Sequence, residues 1–292
     1  MNHLKITSDL ISILIKEQFP EYSNLPIKPV DNQGHDNRTF LLGDEMLVRM
    51  PSDKKYAAKV VIEQKWLPKL TPNISLKIPN PLHTGKASTN YPFNWSIYKW
   101  IDGKSLNQVS RNNLNLEEIA QTLANFIKEL HKIDATNAPK AGEHNFYRGC
   151  GLDIYQSQAI DNILTLKDII DDERAISIMQ TATKSKWSKN PVWIHGDLAI
   201  GNILIKDNKI NAIIDFGGMA VGDPACDLVL CWNLFEGKSQ EIFKSELNLD
   251  QDTWNRARGW ALWKACFEIT SLQDDKSEQY LDWLKILKNI LK

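Results

Sequence analysis

The sequence predicts an α+β chain in two lobes, a small antiparallel-sheet lobe over 1–101 and a mainly helical lobe over 102–292. Three observations predict it. Between Ile27 and Ile101 short apolar runs alternate with turn residues, as strands joined by hairpins do. From Asn115 onward apolar residues recur at three- and four-residue spacing, the period of a helix buried on one face. A chain of 292 residues is also long enough for two compact lobes, each with its own core.

Composition narrows the function classes. Hydrophobic content of 42% and charged content of 24% are those of a globular protein. A net charge of -1, from 35 basic and 36 acidic residues, leaves no footprint for nucleic acid or an anionic membrane. The amino terminus mixes charges among its apolar residues, so it reads as neither a signal peptide nor a spanning helix, and a cytoplasmic location is expected. Cys150, Cys226, Cys231 and Cys266 form no C-x-x-C pair and read as thiols in apolar helical contexts. Oligomeric state is left open.

In chain order, Ser8 is placed to cap a first helix on which Leu10, Ile11, Leu14 and Ile15 share a face. After Pro26 come a strand at Ile27 to Val30, a loop containing Gly34, the Gly43-Asp44 turn and a strand at Glu45 to Met50. Pro51 ends that strand, and Lys54 to Leu67 reads as a helix closed by Pro68. Its charges are Lys54, Lys55, Lys59, Lys65 and a single acid, Glu63. A proline-rich connector leads to a strand at Ser96 to Ile101, whose aromatic residues alternate between the faces of a sheet. Asn115 with Glu118 reads as a capping box before a helix carrying Leu116, Ile119, Leu123, Phe126 and Leu130. Residues 141–153 are irregular; Arg148 and Asp153 there are surface-loop residues or ligand contacts. Ile160 to Met179 reads as one amphipathic helix, and further helices are expected at Ser239 to Leu247, Asp252 to Leu272 and Ser277 to Leu291. Trp254, Trp260, Trp263 and Trp283 read most economically as core. Glu268, Asp274 and Asp275 are either solvated charges or carboxylates facing a cationic substrate.

The chemistry concentrates between Trp193 and Gly218. Two apolar runs, Ile203 to Ile205 and Ile210 to Ile214, flank an Asp207-Asn208 turn, and Asp197, Asn202 and Asp215 fall at strand ends. Ordinary turn and cap duty would account for any one of them. Phosphoryl transfer needs a carboxylate to orient the attacking hydroxyl and hard oxygen ligands to hold magnesium on the nucleotide phosphates. Asp197 fits the first role, and Asn202 and Asp215 fit the second.

The order His195-x-Asp197-x-x-x-x-Asn202, followed by Asp215-Phe216-Gly217, resembles the catalytic core of the protein-kinase-like superfamily. The variant H-G-D-L, with G-D-P-A-x-D-L at Gly222 to Leu228, is similar more narrowly to the aminoglycoside phosphotransferase family. That resemblance covers nearly the whole chain and implies a two-lobed protein-kinase-like fold. It implies that Gly34 lies in a short G-x-D-N-x-x-F phosphate loop, and that Arg49, in a V-R-x-P run, replaces the usual nucleotide-binding lysine with Glu63 as its partner. It also implies that Lys99 and Ile101 offer backbone groups to the purine, with Tyr98 behind the pocket, while His195 and Asp227 support the catalytic loop.

Two departures separate the chain from protein kinases. Only Met219 to Gly222 lie between Gly218 and Asp223, too few for a peptide-binding activation segment, and Gly196 replaces the arginine that reads a phosphate there. The expectation is therefore a phosphotransferase using ATP or GTP and Mg2+ on a hydroxyl of a small molecule, most nearly an aminoglycoside-like compound. Its rivals are a kinase of another metabolite (choline, homoserine or a sugar) and a nucleotide-binding module without chemistry.

Overall fold

The computed structural model describes residues 5–31, 34, 36–272 and 275–292. Asn32, Gln33 and His35 of the expected phosphate loop, and Asp274, lie outside the described residues. The chain divides into two compact units: residues 1–104 with 211–217, and residues 105–210 with 218–292. The change of texture near Ile101 thus falls a few residues before the division, and Asn211–Gly217 goes with the first unit. Sequence order hides that return.

The first unit is built on a five-stranded antiparallel sheet. Its strands are β1 (Ile27–Pro29), β2 (Asn37–Leu42), β3 (Met46–Pro51), β4 (Pro81–Gly85) and β5 (Trp95–Lys99), in the order β1-β2-β3-β5-β4. Alternation along β3 sends Val48 and Met50 into a core with Phe40, Leu42, Trp95 and Ile97. Helix α1 (Ser8–Gln18) closes that core with Ile11, Leu14 and Ile15, each contributing roughly 1.5–3 kcal/mol by burial. Its cap is Thr7, not Ser8: the Thr7 hydroxyl accepts from the Leu10 N–H at 3.3 Å, one residue earlier than expected. Helix α2 (Lys54–Leu70) buries Tyr56, Val60, Glu63, Trp66, Leu67 and Leu70 on one stripe. It runs through Pro68, which the sequence reading took as its end. Pro68 sits in the last turn, where one missing hydrogen bond is offset by burial of Leu67 and Leu70. Strand β5 stops at Lys99, short of the expected Ile101, although the Trp100 N–H still bonds the Glu45 carbonyl at 2.7 Å in register with the β3–β5 pairing.

Between the units the chain forms the two-residue strand β6 (Lys104–Ser105). The second unit contains α3 (Leu116–Lys132), α4 (Gln156–Thr165), α5 (Asp172–Lys184), α6 (Leu230–Asn233), α7 (Gly237–Leu247), α8 (Gln251–Ser271) and α9 (Glu278–Leu291). Asn115 caps α3 by accepting from the Glu118 N–H at 3.3 Å, the Asn115 half of the expected capping box. The single helix expected over Ile160 to Met179 is two. Asp171 accepts from the Arg174 N–H at 2.9 Å and starts α5 afresh. Helix α8 is central, with Trp254, Trp260, Leu262, Cys266 and Ile269 all buried. Its Gly259 permits a close approach: a Cβ there would lie 2.4 Å from the Ala182 Cβ. Trp263 and Trp283 are only half-buried, so the expectation that they are core is corrected. Trp263 still touches the buried Trp260 one turn earlier, with ring centres 5.5 Å apart.

Strand β7 (Val192–Ile194) pairs antiparallel with β10 (Ala220–Gly222), which delivers His195 and Gly196 to the end of a short ladder. Strands β8 (Ile203–Lys206) and β9 (Lys209–Ile213) flank Asp207 and Asn208, both in the left-handed region as a tight two-residue turn requires. Cys226, Cys231 and Cys266 are buried free thiols and Cys150 is half-buried. Among the described residues no helix is long and apolar enough to cross a membrane.

Candidate active site

In the first unit, the β3 alternation that buries Val48 and Met50 turns Arg49 to the opposite face of the sheet. There it meets Glu63 of α2, with Nη1 3.4 Å from each carboxylate oxygen, and Asp215, with Nη2 2.8 Å from Oδ1. The Tyr98 hydroxyl donates to Glu63 Oε2. Burial opposes the charge on Arg49, but Glu63, Asp215 and Tyr98 more than reverse that opposition. Burial first, then the Glu63 charge, pushes the Tyr98 phenol well up, so it stays a donor. Glu63 is buried, whereas the Asp215 side chain is 48% exposed and sits on a left-handed backbone with φ 64°. Such a conformation outside glycine costs about 1–3 kcal/mol and is kept where the surroundings over-determine it.

Lys59, one turn before Glu63, bonds Asp36 Oδ2 at 2.5 Å, tying the start of β2 to α2. A Cβ at Gly217 would stand 3.3 Å from both the Lys59 Cδ and Glu63 Oε1, so this glycine keeps the cluster open. The Lys99 N–H is committed to the Asn80 carbonyl at 3.1 Å. Gly34 accepts, through its carbonyl, from Arg38 Nη1 at 2.8 Å. Ile101 lies beyond the end of β5.

In the second unit the loop after β7 is held from beneath by Asp227, whose Oδ2 accepts from the His195 N–H at 2.6 Å and Oδ1 from the Gly196 N–H at 2.9 Å. Burial pushes the Asp227 carboxyl up, while His195 and these two N–H donors work the other way. Gly196 has φ 80°, and a Cβ there would fall 2.1 Å from the Gly218 carbonyl oxygen, so only glycine lets the loop pass. His195 is fully buried and accepts, through Nδ1, the Asp197 N–H at 3.2 Å. Asn202 donates from Nδ2 to the Asp197 carbonyl at 2.9 Å. That bond fixes the amide so that its oxygen is the end left for a ligand.

The Asp197 carboxylate is a third exposed and carries two cations: Arg148 Nη1 at 3.3 Å and Lys264 Nζ at 3.4 Å. Both fall on Oδ1; among the described residues Oδ2 has no partner. Burial works against ionising Asp197, yet Lys264, Arg148 and His195 outweigh it and hold the carboxyl below its usual range. Arg148 is delivered by a strained turn in which Phe146 and Tyr147 are both left-handed, each with φ 56°. Asn145, fully buried, fixes it: Nδ2 donates to the Arg148 and Gly218 carbonyls at 2.7 and 3.2 Å, and Oδ1 accepts from the Gly142 N–H at 3.0 Å. At the start of the 224–229 segment, Asp223 is bound by Arg256 of α8 at 2.7 Å, with both side chains almost wholly buried.

Each predicted residue thus has a definite setting: Arg49, Glu63 and Asp215 share one cluster, and Asp197, Asn202, His195 and Asp227 share another. Sequence reasoning missed Lys264, Asn145 and Arg256 and left Lys59 as an ordinary helix charge. Only Lys264 had a signal, as the lone cation in the apolar run from Trp260 to Phe267.

Comparison with known proteins bears on the family and the fold. Residues 27–260 match the model of the phosphotransferase enzyme family. An aminoglycoside 3'-phosphotransferase of Escherichia coli is 27% identical over 185 residues, 60% of this chain and 67% of the relative. Among solved structures, the GDP complex of wild-type aminoglycoside 2'-phosphotransferase-IIIa superposes with a TM-score of 0.72 at 18% identity, covering 98% of this chain and 99% of that one. A macrolide 2'-phosphotransferase type I gives 0.63 at 16% identity, covering 98% of each chain. The fold is that of these kinase-like phosphotransferases.

Proposed function

Because this chain belongs to the phosphotransferase enzyme family, we propose that it transfers the terminal phosphoryl group of ATP or GTP to a hydroxyl of a small molecule. The observation that carries the reading is Asp197, kept ionised by Lys264 and Arg148 with Oδ2 open beside the fixed amide of Asn202. An acceptor hydroxyl donates to Oδ2 and attacks the terminal phosphorus. Its oxygen–phosphorus bond forms as the bond to the nucleoside diphosphate breaks, and the proton passes to Asp197.

The chemistry of Asn202 and of Asp215, each taken in its own unit, suits magnesium. Asn202 offers an amide oxygen and Asp215 a half-exposed carboxylate, the hard ligands from which this ion takes only one or two. When bound, the ion supplies charge neutralisation at the phosphate oxygens. Arg49, oriented by Glu63 and Asp215, adds a guanidinium for the phosphates, and Gly34, which the resemblance assigns to the phosphate loop, brings no side chain of its own. Since the Lys99 N–H is already used by Asn80, its base contact falls to its carbonyl, with Ile101 supplying the next N–H. His195 and Asp227 hold the loop without touching the reacting atoms.

Two acceptor classes follow. The named relatives act on aminoglycosides or macrolides, which supports an aminoglycoside-like acceptor. The two cations on Asp197 favour a second, less cationic class. Magnesium-dependent nucleotide consumption, measured with aminoglycosides, macrolides and hydroxylated metabolites in turn, tests the reading. Stimulation by one class supports it, while nucleotide binding with no transfer to any acceptor leaves a binding module.

A further inference from the structure

The surroundings of Asp197 carry a charge and a shape that speak to the acceptor. Contacts run from the carboxylate through Arg148 toward a group of aromatic side chains, and a second set returns through Lys264. Arg148, bound to the carboxylate, lies 6.0 Å from the centre of the Phe146 ring. The Tyr155 hydroxyl donates to the Phe146 carbonyl at 2.8 Å, and the Tyr155 ring stacks on Trp263 with centres 4.3 Å apart and planes 30° apart. Trp263 precedes Lys264, which returns to Asp197. One turn on, Phe267 extends the stack at 6.0 Å and 22°. These rings are not a sealed core, because Phe146 is 48% exposed and Phe267 40% exposed. Phe146 moreover holds a left-handed backbone to stand where it does.

The charge beside this rim has the wrong sign for a polyamine. Arg148 and Lys264 set two cations against the one carboxylate of Asp197. Asp153, in the loop that follows Arg148, faces Lys186 at 3.8 Å instead. On α8 from Trp260 to Ser271, Glu268 is the only acid. Ammonium groups brought close to the reacting hydroxyl would therefore meet net repulsion. The exposed Phe146 and Phe267 rings reward a flat apolar partner, which sheds water from both surfaces.

We propose that the acceptor is a non-cationic hydroxyl compound bearing an aromatic or similarly flat apolar ring near the reacting hydroxyl, seated on Trp263, Tyr155, Phe267 and Phe146, and that polycationic aminoglycosides are disfavoured. The proposal rests on Asp197 as the acceptor-binding base. A ligand-observed magnetic resonance titration of the full chain with phenyl β-D-glucoside and with kanamycin tests it. The glucoside binds with a Kd of about 1 mM, kanamycin at least roughly tenfold more weakly, and Trp263→Ala weakens the glucoside roughly tenfold without changing kanamycin. Phe267→Ala, at an exposed position, supplies the same arm if Trp263→Ala does not fold. Kanamycin binding as tightly as the glucoside, or glucoside binding indifferent to both variants, overturns the proposal. Failure of the transfer reading shows differently: the glucoside binds as described, yet Asp197→Asn leaves magnesium-dependent nucleotide consumption unchanged.

Discussion

Around Arg49 one guanidinium answers two carboxylates, one of which also accepts from a phenol, whereas around Asp197 one carboxylate answers two cations. The first cluster carries a surplus of acid and suits a metal-bound, multiply charged phosphate. The second carries a surplus of base and keeps its carboxylate ionised for a proton. Burial differs too: Glu63 is buried, while Asp197 is open on one oxygen. Charges in the first cluster therefore bear on folding as well as binding, and those in the second bear mainly on turnover.

Asp197→Asn gives the sharpest separation. Turnover falls on the order of a thousandfold while the nucleotide Kd stays within about threefold; loss of nucleotide binding of the same size would merge the two clusters' duties. Arg49→Met does the opposite. Stripping Glu63 of its buried cation costs about 3 kcal/mol of stability, read as a lower denaturant midpoint, and weakens nucleotide binding. Arg49→Lys keeps the charge but not the fork, and recovers part of the loss.

Acid titration adds a third contrast. His131, largely buried with Nε2 unpartnered among the described residues, is held neutral with its pKa pushed down by burial to about 4. The unfolded chain therefore binds more protons as pH falls from about 6.5 to about 4, and roughly 3 kcal/mol of stability at most is lost across that window. His131→Gln should flatten this dependence in a denaturation series. In that background the smallest effect becomes readable. Lys264→Met removes a cation that depresses the Asp197 pKa, so the acid limb of kcat/KM moves to higher pH and activity on that limb drops roughly tenfold. An unmoved limb would assign another group to it.

The order of elements was legible because period and punctuation are local. The α3 face, the Asn115 cap and the tail helices follow from spacing alone. Where expectation failed, either packing overrode a local signal or a local cap within a longer run went unread. Pro68 was tolerated inside α2 because Leu67 and Leu70 are buried, and Asp171 divided an apolar run that looked continuous. Asp197, Asn202 and Asp215 were readable as a motif because the roles proposed for them would fix their spacing.

By itself the sequence determined the α+β class and proposed a candidate catalytic carboxylate, candidate metal ligands and the unusual Arg49 with Glu63, which the structure brings together. Tertiary structure alone decided who stands beside them. Lys264 reaches Asp197 across 67 positions, Arg49 reaches Asp215 across 166, and Asn145 reaches the Gly218 carbonyl across 73. No period or spacing rule spans such separations. The charge balance at Asp197, and with it the acceptor, exists only once the chain has closed those distances.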